Sequence, residues 1–396
     1  DTARGTLPHG LMSSMPWLRV DHSHGSPRRL IDEHGRERIL RGVNIGVEQW
    51  GSIGRPYDPA AYEARCPPNS RDYNQPPVCG VEAGRGKYNQ STRWDSSNDF
   101  AQIRAVGFNV VRLAVSWSLV EPRPSVYNET YLRRIEQVVD WAAEQDVFVI
   151  IDFHQDFYSS AVPGRGADGA PAWACPPLSA YNTSLPKWKA KFYDEIGLGA
   201  DPIVAFTFFW RNSIIAATGK GVQEHYIRMA AHVMKRFLNT STVAGIELMN
   251  EPLPDDRLDV LKFANDTLYP FYGRMIQALT GVRDGLTTCS PSRPIAAGCA
   301  FPPLLPRGAF RQLTFFEPMG LRNQLDISPQ WGIGRFSSYQ NLVYAPHSYS
   351  HTFTKWKAPY WLALDSAWRE ANAMGASVFV TEYGAPRAGE RLEAIV

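Results

Sequence analysis

The chain has 396 residues, 41 Lys and Arg against 39 Asp and Glu, and a formal charge of +2; with its basic residues spread along the sequence it presents no cationic stripe, which excludes nucleic acid as a partner. Hydrophobic residues make up 44% and charged residues 20%, enough for a large buried core arranged as two or three ordinary domains or as one α/β barrel. The longest apolar run, around residues 203–210, is far short of the ~20 residues that a membrane-spanning helix needs.

The sequence starts at Asp1 with neither Met nor an apolar leader, which reads as a trimmed N-terminus. Cys66, Cys79, Cys175, Cys289 and Cys299 show no metal-type spacing. They lie in Pro- and Gly-rich sequence, so the pairs Cys66–Cys79 and Cys289–Cys299 are expected, with Cys175 left over. Sequons begin at Asn89, Asn128, Asn182, Asn239 and Asn265, and five together point to a secreted or secretory-pathway protein carrying N-glycans.

In chain order, residues 1–37 read as an N-terminal lead-in, with a turn at Asp32-Glu-His-Gly35 and a small hairpin closing the bottom of a barrel. A first strand is expected from Arg38 to Ile45, followed by a long Pro-, Gly- and Tyr-rich loop over residues 48–94. A helix from Asn98 to Ala105 leads to a strand at Asn109–Leu113, and an amphipathic helix from Tyr131 to Gln145 leads to a strand at Val147–Asp152. Residues 153–198 read as loop. Helix Gln223–Leu238 precedes strand Val243–Leu248, helix Leu258–Leu279 precedes an insertion to about residue 308, and strands follow at Gln312–Phe316 and Leu342–Ala345. Helix Tyr360–Met374 leads to the seventh strand, Val378–Thr381. Strands that are apolar throughout and alternate with helices form a parallel sheet covered on both faces. Polar residues at nearly every strand end select an α/β fold of the (β/α)8 TIM barrel type over a doubly wound sheet. Residues 38–396 would then be a catalytic barrel incomplete at its C-terminus, with the eighth strand and a small C-terminal β domain of the β-sandwich kind expected outside this sequence.

The chemistry gathers at two strand ends. The run Gly245-Ile-Glu-Leu-Met-Asn-Glu-Pro252 presents Glu251, and Val378-Phe-Val-Thr-Glu382 presents a second glutamate. Either alone reads equally well as a salt-bridge or capping residue, but two carboxylates in matching contexts are the minimum equipment of a glycoside hydrolase. Arg112 at the end of an apolar strand requires a carboxylate partner. Asp152, His154 and Asp156 alternate toward one side of a strand end, where sugar hydroxyls or a structural ion-pair network would engage them. His347 and Tyr349 are likewise two apart, and Tyr349 would donate to the second glutamate or pack in the core. Gly164-Arg-Gly-Ala-Asp-Gly169 fits GxGxxG only formally and reads as an active-site loop; His22 and His24 read as a solvated turn.

Arg112 within Gly107-Phe-Asn-Val-Val-Arg-Leu113, Asn250-Glu251-Pro252, His347 and Glu382 resemble the strand-end residues of retaining enzymes of glycoside hydrolase family 5. Asp152-Phe-His-Gln-Asp156, Asp168-Gly-Ala-Pro-Ala-Trp-Ala174, Phe316-Glu-Pro318 and Tyr344-Ala-Pro-His347 resemble its endoglycoceramidases and related glycolipid hydrolases. The resemblance implies Glu251 as acid/base, Glu382 as nucleophile held ionised by Arg112 and Tyr349, Asn250 on the sugar 2-hydroxyl, and His154, Asp156, His347 and Trp173 around the substrate. It implies no cofactor and no metal. A ceramide aglycone implies an apolar groove, with Phe157, Tyr158, Trp173, Phe208, Phe209 and Trp210 as candidates, and transient contact with a membrane surface. An exo-β-glucosidase acting on glucosylceramide or steryl glucoside, a β-glucanase, and a non-catalytic glycan- or lipid-binding barrel are the alternatives; the oligomeric state stays open.

Overall fold

A computed structural model describes residues 15–23, 28–46, 97–163, 168–257, 260–282, 287–288, 299–325, 336–349 and 360–383. The loop 48–94, most of the Gly164–Gly169 stretch, His24, Cys66, Cys79 and Cys289 lie outside them, and with these cysteines both expected pairings. Cys175 is a free, partly buried thiol.

The short strands β1 (Leu18–Val20) and β2 (Leu30–Asp32) form an antiparallel hairpin. The turn that follows β2 is fixed by Asp32, whose fully buried carboxylate accepts from the backbone of His34 and Arg36 and from the Arg36 and Arg38 side chains. Parallel strands then alternate with helices: β3 (Gly42–Gly46), α1 (Ser97–Ala105), β4 (Val110–Ser116), α2 (Glu129–Glu144) and β5 (Phe148–His154). The middle of the chain supplies α3 (Lys187–Glu195), α4 (Ala200–Trp210), α5 (Val222–Met234), β6 (Val243–Glu247) and α6 (Tyr269–Thr280). The last part supplies β7 (Leu313–Phe316), α7 (Gly320–Leu325), β8 (Leu342–Tyr344), β9 (His347–Ser348), α8 (Tyr360–Met374), β10 (Ser377–Val378) and β11 (Glu382–Tyr383).

Seven of these strands form one parallel sheet in the order β10-β8-β7-β6-β5-β4-β3, as the apolar runs predicted. The two edges meet at the top, where the Asn44 Nδ2 donates to the Thr381 carbonyl at 3.3 Å. The sheet with its covering helices has the (β/α)8 architecture, seven of its strands lying among the described residues. β9 and β11 continue β8 and β10 upward as a separate parallel pair that sets His347 beside Glu382.

Strand alternation divides the core. Val111, Leu113, Val115, Val149, Ile151 and Phe153 point outward and pack beneath the helices. Val110, Phe148, Ile150, Leu313, Phe315 and Val343 point inward, and from below they meet Met15, Leu18, Val20 and Leu30 of the N-terminal segment. The lead-in therefore plugs the bottom of the barrel. Continuing the inward parity upward from Val110 gives Arg112, and from Ile150 gives Asp152, so the interior changes from apolar to charged within one layer. Gly245 marks a tight point of that interior: a Cβ there would lie 2.5 Å from the Phe315 ring and 2.6 Å from the Leu313 carbonyl.

The expectation of loop over residues 153–198 is corrected. Leu178–Thr183 and α3 are helical, with Pro177 and Pro186 in the positions just before their first turns, where a missing N–H is no loss. The apolar run at 203–210 is α4, buried on nearly all sides. The expected helix 258–279 is interrupted by a π-helical turn over Ala264–Leu268, and among the described residues no helix is long and apolar enough to cross a membrane.

Candidate active site

Strand β6 ends at Glu247, and the chain then turns sharply so that Asn250 donates its backbone N–H back to the Phe153 carbonyl at 3.1 Å. Glu251 carries φ +37°, a left-handed conformation that costs a residue with a Cβ of order 1 kcal/mol or more. Neighbouring groups over-determine it. The buried Gln155 amide donates to the carbonyls of Asn250 (2.6 Å) and Glu251 (3.1 Å), and the Glu251 N–H donates to Glu317 Oε2 at 3.1 Å. A strained acidic residue held from several sides is a feature of functional sites.

Arg112 is buried at the centre of the barrel and its three guanidinium nitrogens are all engaged. Nε donates to Glu247 Oε2 at 2.6 Å, one terminal nitrogen to Glu382 Oε1 at 2.5 Å, and the other to Asn250 Oδ1 at 2.7 Å. That last nitrogen also lies 3.1 Å from Asp152 and 3.4 Å from Glu317. One cation thus serves four carboxylates, and a planar, permanently charged fork is the side chain suited to it.

Glu382 receives two further contacts. The Tyr349 hydroxyl donates to Oε2 at 2.8 Å, and His347 Nδ1 lies 3.6 Å from the same oxygen. Burial raises the Glu382 carboxyl, but the charges of His347, Arg112 and His154 and the Tyr349 hydrogen bond outweigh it and hold the group well below the usual carboxylate range. Glu382 is therefore held in its ionised form at neutral pH.

Glu251 faces it. Carboxylate oxygens of Glu251 and Glu382 and a ring nitrogen of His347 all lie within 4.8 Å of one another. His347, fully buried, places Nδ1 2.8 Å from Glu251 Oε1 and Nε2 3.1 Å from Glu317 Oε1, and Asn323 Nδ2 reaches Glu251 Oε1 at 3.4 Å. Despite its burial Glu247 is kept below the usual carboxylate range by Arg112, whereas burial and the nearby Glu247 push Glu317 up.

Beside this pair, His154 Nδ1 lies 2.6 Å from Asp152 Oδ2, and Nε2 lies 3.7 Å from Asp156 Oδ2. The Asp156 N–H donates to Asp168 Oδ1 at 3.0 Å. Burial, with Asp156 and Asp152 adding to it and His154 opposing, pushes the Asp168 carboxyl up to about 7.

The structure therefore brings together Glu251, Glu382, Arg112, Asn250, His347 and Tyr349, with His154 and Asp156 alongside, and revises several expected roles. Asp152 belongs to the ion-pair network, since it is fully buried between His154 and Arg112. His347 spends both ring nitrogens on carboxylates, so it holds the glutamates in place and offers none to a sugar. Asn250 gives its oxygen to Arg112 and donates from Nδ2 to the Gln155 carbonyl, which leaves one amide N–H for a hydroxyl. Trp173 donates from Nε1 to the Glu121 carbonyl and stands edge-on to Trp117; its described contacts do not join it to the carboxylate cluster. The apolar groove fails at three positions, because Tyr158, Phe209 and Trp210 are core side chains, with the Tyr158 hydroxyl bonded to the Ala174 carbonyl and Trp210 Nε1 to that of Leu253.

Sequence reasoning missed Glu247, Gln155 and Asn323. A charged residue inside the apolar run Val243–Leu248 was a readable signal for the first. Nothing in the short α7 announces Asn323.

A parallel barrel with two glutamates this close at its strand ends, one pinned by arginine and tyrosine and the other by histidine, matches the two-carboxylate arrangement of glycoside hydrolases. The family described as Cellulase (glycosyl hydrolase family 5) matches residues 71–284, and the chain belongs to that family. Among curated proteins it is similar to an endoglycoceramidase of Hydra vulgaris, 26% identical over 56% of this chain and 39% of the relative, and to endoglycoceramidase I of Rhodococcus hoagii, 29% identical over 61% and 43%. The chain spans less than half the length of these relatives. Among solved structures it is similar to endo-glycoceramidase II from Rhodococcus sp. in an iminocyclitol complex, with TM-score 0.58, 26% identity and coverage of 93% of this chain and 72% of the other. An endogalactoceramidase at 24% identity and TM-score 0.66, covering 96% and 71%, shares the fold.

Proposed function

We propose that this chain is the catalytic barrel of a retaining β-glycosidase that cleaves the bond between glycan and ceramide in glycosphingolipids. The observation that carries the hydrolytic half is the approach of Glu251 and Glu382 to within 4.8 Å, which suits direct attack by one of them; an inverting pair stands ~6.5–9.5 Å apart to admit a water. Glu382, ionised, attacks the anomeric carbon while Glu251 protonates the departing ceramide oxygen. The resulting glycosyl ester on Glu382 is then hydrolysed by a water that gives its proton to Glu251, which restores both residues. Arg112 and Tyr349 orient Glu382 throughout, and His347 with Asn323 orients Glu251.

The lipid half is supported by the relatives. Two similar curated proteins are endoglycoceramidases, and a Rhodococcus endo-glycoceramidase II, 25% identical with TM-score 0.56, is known as a ganglioside GM3 complex. A second reading, removal of a single glucose, draws on similarity to a glucosylceramidase of Cryptococcus neoformans, 27% identical over 57% of this chain and 32% of the relative.

A lipid substrate also calls for a surface that meets the bilayer. Helix α3 exposes Trp188, Phe192 and Ile196 at four-residue spacing, interleaved with Lys187, Lys189 and Lys191. It is fastened to the loop after Glu251, since Lys189 Nζ donates to the Asp256 carbonyl at 2.7 Å and the Tyr193 hydroxyl to that of Asp255 at 3.0 Å. Apolar and aromatic side chains among lysines suit the interface of an anionic bilayer. Exposed sequons at Asn239 and Asn265 fit a secreted, N-glycosylated protein.

One experiment tests these points together. Lactosylceramide, a ganglioside and glucosylceramide are supplied in detergent micelles and in vesicles containing phosphatidylserine, and the products are read by mass spectrometry. Intact oligosaccharide together with ceramide is expected. Glucose from glucosylceramide alone would favour the second reading, and no cleavage of any glycolipid would overturn the lipid assignment. Trp188→Ser is expected to lower turnover on vesicles at least about fivefold while leaving micellar turnover unchanged; equal rates on both would remove α3 from the membrane surface.

A further inference from the structure

Glu317 is a buried carboxylate at the end of β7 that the two-glutamate mechanism does not use. It reaches the proton donor by two routes. Oε2 accepts the Glu251 backbone N–H at 3.1 Å and Asn323 Nδ2 at 3.3 Å. Oε1 faces His347 Nε2 at 3.1 Å and Arg112 at 3.4 Å, and the other nitrogen of the same imidazole lies 2.8 Å from Glu251 Oε1. Asn323 completes the loop by accepting the His347 backbone N–H at 3.0 Å. The remaining charged and titratable groups about this pair are Glu247, within 4.8 Å of both Glu317 and His347, Glu382 on β11, and the buried Tyr226 and Tyr272 of α5 and α6.

Building on the assignment of Glu251 as acid/base, we propose that Glu317 is its positioning residue: it holds the strained Glu251 turn by the backbone and fixes which ring nitrogen of His347 faces the Glu251 carboxyl. Every group directed at Glu317 from Glu251, Asn323, Arg112 and His347 Nε2 is a donor, and a carboxyl group has an acceptor oxygen for each side. Nδ1 is the ring nitrogen turned toward Glu251, at 2.8 Å, while Nε2 lies 3.1 Å from Glu317, so the imidazole is held between the two carboxyl groups. Second-layer partners that fix the orientation of an imidazole in this way are a general device.

Glu317→Gln preserves shape but leaves one acceptor oxygen. If that oxygen stays on the Glu251 side, the amide NH2 confronts the ring at Nε2 and displaces the imidazole, and with it the Glu251 carboxyl that faces Nδ1. If the amide turns over, the Glu251 N–H loses its acceptor and the φ +37° turn relaxes. Either way proton donation suffers and attack by Glu382 does not.

The test compares octyl and dinitrophenyl β-lactosides, whose leaving groups do and do not need a proton. In Glu317→Gln, kcat/KM is expected to fall about 100-fold on the octyl glycoside, within the range a general acid supplies, and less than threefold on the dinitrophenyl glycoside. Equal losses on both substrates, or no loss on either, would overturn the proposal. Glu251→Gln serves as control: if it too loses activity equally on both, the acid/base assignment itself fails and this proposal with it. A readout independent of whether the variant folds comes from ring ¹⁵N shifts of the wild-type protein, with the His347 signal assigned by its loss in His347→Gln. Nε2 should carry a proton, and a bare Nε2 would contradict the arrangement.

Discussion

Glu382→Gln is expected to lower kcat/KM by about 10⁴-fold or more on glycolipid and aryl glycoside alike, the scale on which losing a covalent nucleophile is felt. The substitution keeps volume and shape, so the loss isolates the charge. Both Glu382 oxygens are already committed, Oε1 to Arg112 and Oε2 to Tyr349, and an amide can accept from only one of them with its oxygen. The variant should still fold, because Arg112 retains Glu247 and Asp152 as partners. Steady-state kinetics beside a thermal melt check both halves, and a folded variant keeping a tenth of the activity would remove Glu382 from the role of nucleophile.

Arg112→Met should damage the fold as well as the activity. It leaves Glu247, Glu382, Asp152 and Glu317 around an apolar side chain, and removing one partner from a buried ion cluster costs about 3–5 kcal/mol. The pH dependence has a definite sign. Without the cation the folded-state carboxyls titrate above their unfolded values, so below about pH 4 both states are protonated and the penalty is small. As pH rises the unfolded chain ionises freely and the folded one does not, and the penalty grows. Urea unfolding at pH 5 and pH 7 should therefore show the larger loss, relative to the unsubstituted protein, at pH 7. A loss that grows toward acid would mean that Arg112 is not what holds Glu247 and Glu382 ionised.

Much of this arrangement could be read before the fold was known, for reasons tied to particular residues. Seven apolar runs became seven parallel strands because strands buried on both faces carry no polar alternation to blur. Glu251 and Glu382 stood out because each ends such a run beside a proline or glycine, and Tyr349 was correctly aimed at Glu382 by its two-residue spacing from His347. The helices within residues 153–198 escaped because they are short and begin at prolines. Gln155, Asn323 and Glu317 escaped as supports of Glu251 because their work is done across the barrel, between strands far apart in sequence, and no local pattern encodes such contacts. The apolar groove misjudged Phe209 and Trp210 because an aromatic run looks the same in sequence whether it lines a cleft or fills a core.

The most direct test of the account is to trap the intermediate. A fluorinated β-glycoside that forms the glycosyl-enzyme quickly and releases it slowly should add one sugar per chain, and peptide mass mapping should find that sugar on Glu382. An adduct on another residue, or steady turnover with inverted product and no adduct, would contradict the retaining mechanism that the spacing of Glu251 and Glu382 supports.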